Sequence, residues 1–225
     1  MGLLDGTCHS GYGGDVSAVM RGRQAEAARN HERLMCSARE VLAATPDAPM
    51  AHVASHAGLG VATLYRRYAS RDALVAETWL ESVREVEAQA RVALDRAGMF
   101  PWGAFVGFMT ASVASGMGAL AAALAEAGAP AEGLVAAERS MNAAIDELLE
   151  VAQKAGAVRP DIGVEDVRLL FEQLHAVRAA DAAREATLRR RYLELVLQAL
   201  RAPAAAPLPG PAPAAAELKG RYDRR

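Results

Sequence analysis

Between residues 21 and 201 the apolar side chains recur every third or fourth position, and they never alternate over more than a few residues. That period belongs to helices that each bury one face, whereas a half-buried strand needs a period of two. β-Branched residues are sparse and alanine, the strongest helix former, dominates. The pattern predicts an all-α fold. Aromatic residues are only 5% of the 225, so the core must be built from Ala, Leu, Val and Met.

Glycine and proline mark where each predicted helix stops. The reading gives helices at about 24–44, 50–56, 61–67, 70–97, 101–117, 119–127, 131–156, 164–180 and 183–201, about nine in all. The run TPDAP at 45–49 ends the first, and Gly98, Gly128 and Gly156 with their following prolines end later ones. Ser70 is a plausible N-cap and Asp72 suits the first turn of the fourth helix, which would be ~40 Å long. On the last helix Leu188, Tyr192, Leu195, Val196 and Ala199 form the apolar face. Residues 1–20 carry no apolar period and are expected to be disordered, and residues 202–225, rich in Pro and Ala, are expected to form an extended, unpacked tail.

Several function classes are excluded by what the chain lacks. Cys8 and Cys36 cannot make a disulfide framework or a four-cysteine zinc site, and Cys36 is expected to face the core of the first helix. No apolar run approaches the ~18 residues of a membrane span, and no secretory signal is evident, so a cytoplasmic protein with no membrane contact is expected. We find no paired carboxylates, metal-ligand cluster, nucleophile motif or phosphate-cradling loop, so neither catalysis nor a metal nor a cofactor is expected. Charge is unevenly spread: residues 21–72 hold eight basic and five acidic side chains, and residues 81–200 hold twelve and seventeen. A basic head on an acidic body suits nucleic acid at one end only.

The head carries the most informative stretch. In residues 50–68 Val53, Ala54, Ala57, Leu59 and Leu64 are spaced to pack two short helices across a turn, with Gly58 where the chain leaves the first. This is a helix-turn-helix. Its second helix offers Val61, Ala62, Thr63, Arg66 and Arg67 outward. Small apolar side chains can meet thymine methyls, and Arg can pair with guanine or hold phosphate; both roles stay open for Arg66 and Arg67. Thr63 and Tyr65 supply hydroxyls for phosphate oxygens. Tyr68 reads as core, and His52 and His56 as exposed or half-packed.

The stretch VASHAGLGVATLYRRYASRDALVAETW resembles the DNA-binding signature of the tetracycline-repressor-like (TetR/AcrR) family of bacterial regulators. Val53, Ala54, Ala57, Gly58, Thr63, Leu64, Tyr65, Ser70 and Leu74 match that signature, and Leu59, Tyr68 and Arg71 are conservative replacements. Gly60, Ala62 and Arg67 depart from it, standing where Ser, Gly and His are usual. The segment AGAVRPDI (155–162) also looks like a linker common in one subgroup. The resemblance implies a helix-turn-helix domain over 21–70 and an effector-binding and dimerisation domain over 71–201. It implies a homodimeric repressor that grips an inverted-repeat double-stranded DNA operator and pairs through the helices at about 164–180 and 183–201. Val61, Ala62, Thr63, Arg66 and Arg67 would face bases or nearby backbone, while Tyr65, Arg71 and an arginine-bearing N-terminal arm would favour phosphates.

A small apolar effector would bind in the body. Trp102, Phe105, Phe108, Met109, Ser112, Met141, Phe171 and His175 are the candidate lining, a mixture of apolar surface with a few orienting groups. The same residues also read as ordinary core, and His175 as a hydrogen-bonded core or interface histidine. An effector-less protein whose body only dimerises is the alternative reading.

Overall fold

The computed structural model describes residues 13–120, 133–203 and 206–219. Among these residues every regular element is helical: α1 (Gly13–Ala44), α2 (Met50–His56), α3 (Val61–Arg67), α4 (Arg71–Ala97), α5 (Pro101–Ser115), a 3-10 turn (Met117–Leu120), α6 (Leu134–Lys154), α7 (Val164–His175), α8 (Ala182–Leu200) and the short α9 (Ala215–Lys219). Val158 and Arg201 form an isolated antiparallel bridge. No described helix is long and apolar enough to cross a membrane.

α4 is the axis of the molecule. Ser70 caps it, its hydroxyl accepting the Ala73 N–H at 3.1 Å, and Asp72 lies in its first turn, both as the sequence predicts. Its buried stripe runs from Leu74 through Val83 and Val86 to Ala97 and packs along α5 and α6. Two polar residues in that stripe, Thr78 and Ser82, donate their hydroxyls one turn back to the carbonyls of Leu74 and Thr78, so neither is left unsatisfied. Across α4 and α6 the Trp79 indole N–H reaches Glu138 at 2.9 Å, and Ser140 and Arg91 both donate to Glu87, whose carboxyl is held below its ordinary pKa by those bonds. The core is one continuous cluster from Leu34 on α1 to Leu200 on α8.

Four expectations change. α1 begins at Gly13, so residues 13–20 are helical and Arg21 and Arg23 lie on a helix, not on an unstructured arm; no proline interrupts the segment and its glycines cluster at the start. Cys36 is exposed: α1 turns Leu34, Met35, Ala38, Val41 and Leu42 inward, and Cys36 lies off that stripe. Burial of neighbouring surface and the nearby Glu40 carboxylate push its thiol pKa up. α7 ends at His175, short of the expected 180. α8 turns Leu193, Leu197 and Leu200 into the chain's own core, leaving Tyr192 and Leu195 about half exposed. The helix has apolar residues on two sides, and periodicity alone does not say which side the chain itself covers.

The expected loose tail is tethered. Arg159 forms an ion pair with Asp161 at 2.6 Å and also donates to the Ala206 carbonyl, while the Leu208 N–H donates to Asp161 at 2.8 Å. These bonds hold the Asp161 carboxyl well below the usual carboxylate range. Leu218 on α9 is buried. The predicted helix at 119–127 falls mostly outside the described residues.

Candidate nucleic-acid interface

The second and third helices are placed by a small core. Val53 and Ala54 of α2 and Leu64 of α3 are buried against Leu34, Ala38 and Leu42 of α1, with Met50 and Tyr68 closing the ends. Between α2 and α3 Gly58 takes φ +67°, as its position predicts, and the Leu59 N–H bonds back to the Ala54 carbonyl at 2.8 Å. Gly60 caps α3 without any side-chain bond. Tyr68 is buried with its hydroxyl unpaired, and burial pushes its pKa up.

Leu64 is the one buried residue of α3, and helical geometry turns Ala62, Thr63, Tyr65 and Arg66 away from it. Val61, Ala62, Thr63, Tyr65, Arg66 and Arg67 are all exposed, with Val61 and Arg67 flanking the buried Leu64. Tyr65 is 54% exposed, a large fraction for an aromatic ring without a described partner covering it. Arg66 has no ion-pair partner among the described residues. Arg67 is oriented: one of its guanidinium nitrogens lies 2.7 Å from Nδ1 of His31 on α1, and its carbon lies 5.8 Å from the Tyr68 ring centroid. His31 carries no motif signal, and only the fold brings it beside Arg67.

Arg71 does not join this surface. Its guanidinium turns back to donate to the Pro46 and Ala48 carbonyls and stands 3.7 Å from Asp72. It therefore fixes the α1–α2 turn against the start of α4. Two further contacts tie the three-helix head to the body. Arg39 of α1 forms an ion pair with Glu85 of α4, and Arg178 donates to the last-turn carbonyl of α1 at Ala43 and to the His175 carbonyl. Sequence reasoning missed both, since neither spacing within a helix nor a motif links residues so far apart.

The predicted lining of an effector cavity is packed core. Phe105, Phe108, Met109, Ser112, Met141, Phe171 and His175 are each at most 2% exposed, and Phe108 meets Phe171 edge-on at 5.9 Å. Trp102 is partly buried, beneath the Arg201 guanidinium. His175 is a core histidine: Nδ1 lies 2.7 Å from the Phe171 carbonyl and Nε2 2.9 Å from that of Val113, and burial lowers its pKa. Gly118 packs against the same ring, leaving no room for a side chain there.

Free space lies elsewhere. An open groove of about 550 Å³ runs between α4 and α5. Glu85, Gln89, Val92 and Arg96 line it from α4, and Phe100, Gly103, Gly107 and Phe108 from the α5 side. Of the predicted lining only Phe108 reaches it. Gln89 accepts a hydrogen bond from the buried Ser112 hydroxyl at 3.0 Å and donates to Glu85 at 3.5 Å.

Residues 100–202 match a family model described as the C-terminal domain of SbtR-like transcriptional regulators. Among solved structures, a TetR transcription regulatory protein from Mycobacterium vanbaalenii is 31% identical, with 79% of this chain and 98% of that chain covered and a TM-score of 0.55. The TetR transcriptional regulator SCO0520 from Streptomyces coelicolor is 23% identical over 77% of this chain and 99% of its own, at a TM-score of 0.56. LfrR from Mycobacterium smegmatis, solved in complex with proflavine, is 19% identical over 77% of this chain and 95% of its own, at 0.52. No curated protein sequence matches significantly.

Proposed function

Because this chain belongs to the TetR family of transcription regulators, we propose that it is a cytoplasmic repressor that holds an inverted-repeat operator as a homodimer and lets go when a small ligand binds its body. The observation that carries the reading is the outward surface of α3. Six residues with the chemistry for DNA contact are exposed together, while Leu64 anchors the helix to the head core. Val61, Ala62 and Thr63 at the helix start would meet base edges in the major groove; Tyr65, Arg66 and Arg67 would meet bases or phosphates. Arg71 supports the reading only indirectly, by fixing the turn that aims α3.

The division into a DNA-binding unit at 21–70 and an effector and dimerisation unit at 71–201 follows from the same reading. α7 and α8 would pair with their mates in a second copy. The half-exposed Tyr192 and Leu195 give α8 an apolar stripe that its own chain leaves uncovered. LfrR's complex with proflavine supports a body that answers to a small molecule. The filled interior around Phe105 and His175 is the observation that favours the second reading, a dimeric DNA-binding protein without an effector; the α4–α5 groove favours the first.

The test is fluorescence anisotropy of labelled duplexes from the DNA flanking its own gene, at low salt, with the oligomeric state checked by sedimentation. A folded dimer that binds none of them, with Thr63→Trp no worse than the native chain, overturns the proposal.

A further inference from the structure

Glycine inside a helix destabilises it relative to alanine, so a mid-helix glycine calls for a packing reason. Gly107 has none within the described chain: a Cβ built on it meets nothing within 4 Å. Gly103, one turn earlier, would meet only the Phe100 Cβ, at an ordinary 3.8 Å. Both glycines floor the α4–α5 groove, and what they provide is empty space beside exposed apolar surface. Phe100 is 63% exposed and Val92 55%.

The groove carries one formal charge near each end, and only one of the two is paired. Glu85, at one end, is already neutralised by Arg39 and bonded by Gln89. Arg96, at the other, is exposed and pairs with no carboxylate among the described residues. Eleven residues of α4 separate the two, about 16 Å at the helical rise.

We propose that this groove is the effector site and that its ligand is an elongated organic anion. Its acidic head sits on Arg96, and its apolar body lies over Gly103 and Gly107 toward Gln89. The inference rests on reading the body as an effector domain and names the ligand class that domain takes. A volume of about 550 Å³ falls within the range of small-molecule sites. Charge decides the sign of the head group: of the two charged residues of the lining, Glu85 is paired with Arg39, while Arg96 pairs with no carboxylate among the described residues. The apolar end of such a ligand would lie against Gln89, which bonds the same Glu85 that holds Arg39 of the head. An occupant that parts α5 from α4 thus disturbs a contact reaching α1.

The experiment titrates dodecanoate and dodecylammonium, each below its micelle concentration, into the full chain by calorimetry without DNA. Dodecanoate should bind, and dodecylammonium should bind about tenfold or more weakly. Arg96→Gln should cost dodecanoate about tenfold or more, the size expected for a lost charge-assisted bond, with no change in thermal midpoint. Gly107→Leu should abolish binding by filling the floor, while Gly107→Ala, which also relieves the helix, should keep the fold and weaken binding least. No dodecanoate binding, equal binding of the two probes, or native affinity in Arg96→Gln overturns the proposal. Because no DNA is present, failure here is separate from failure to bind an operator; all three variants should hold an operator as the native chain does.

Discussion

Arg67→Ala tests how the proposed reading head would hold DNA. Arg67 is exposed on α3, and the 2.7 Å contact with His31 aims its guanidinium along the head surface. If it grips phosphate, each head loses one phosphate contact and a dimer loses two. At roughly 0.9 per phosphate, the slope of log affinity against log salt falls by ~1.8. Between 50 and 200 mM salt, a fourfold change, the native advantage over the variant should then shrink about twelvefold. If Arg67 instead pairs with a guanine, the loss is about 1–3 kcal/mol per contact, falls on one base position and changes little with salt. Anisotropy titrations at four salt concentrations separate the cases. His31→Ala is the companion variant: the arginine charge stays, so the slope should stay, and affinity should fall about two- to tenfold from lost orientation alone. A native slope in Arg67→Ala refutes the phosphate role. A changed slope in His31→Ala refutes the claim that His31 only positions.

Three other outcomes are expected. Leu195→Glu places a charge on the uncovered stripe of α8 and should give a folded monomer by sedimentation with stability changed by about 0.5 kcal/mol or less; a persistent dimer refutes that interface. Gly118→Ala puts a Cβ 2.7 Å from the His175 ring and 2.8 Å from the Phe171 carbonyl, so it should destabilise the fold by about 1–3 kcal/mol in thermal melts, and a neutral result would mean the 3-10 turn is free to shift. Asp161 has a folded pKa below its unfolded value of 3.8, so its contribution is complete above that pH and is lost as pH falls through 3.8 toward the folded value. Protection of the Leu208 amide against hydrogen exchange should fall with it, and Asp161→Asn should remove protection at all pH values; protection that survives the substitution refutes the tether.

Local signals in the sequence carried most of the fold. The Ser70 cap, the Gly58 turn and the bounds of α2 and α3 all follow from side-chain chemistry within a few residues, and the structure keeps each. Ala62, Thr63, Tyr65 and Arg66 were legible as outward for the same reason, since one inward Leu64 fixes the phase of a seven-residue helix, whereas the exposure of Val61 and Arg67 on its flanks depends on how α3 meets the head core. The structure departs from the sequence reading where the answer depends on distant partners. Arg71 looks like a DNA contact within the motif, but the carbonyls that claim it belong to residues 46 and 48 across a turn. Phe105, Met109 and Phe171 have the composition of a ligand cavity, and whether such a set encloses space or fills it depends on how α5 and α7 meet. The tether of the tail escapes composition because its anchor, Asp161, lies 47 residues before Leu208, and composition cannot register one hydrogen bond from a backbone N–H to a carboxylate.

The same long-range contacts decide how a signal would reach DNA. The head has its own core, yet side-chain bonds pin it to the body at separate places on α1: Arg39 to Glu85 on α4, and the Ala43 carbonyl to Arg178 in the α7–α8 connection. Glu85 lines the groove, so the first pin would answer to α4 and to any occupant of the groove. Arg178 follows the helix that would pair with a second copy, and it also holds the His175 carbonyl, so in the proposed dimer the second pin would answer to how the two copies are arranged. If both pins hold, α1 cannot rotate relative to α4 without breaking one of them. A ligand would therefore act by favouring the state in which the first pin is loosened. The difference in affinity between the two states sets the size of the effect, of order 1–3 kcal/mol in such couplings.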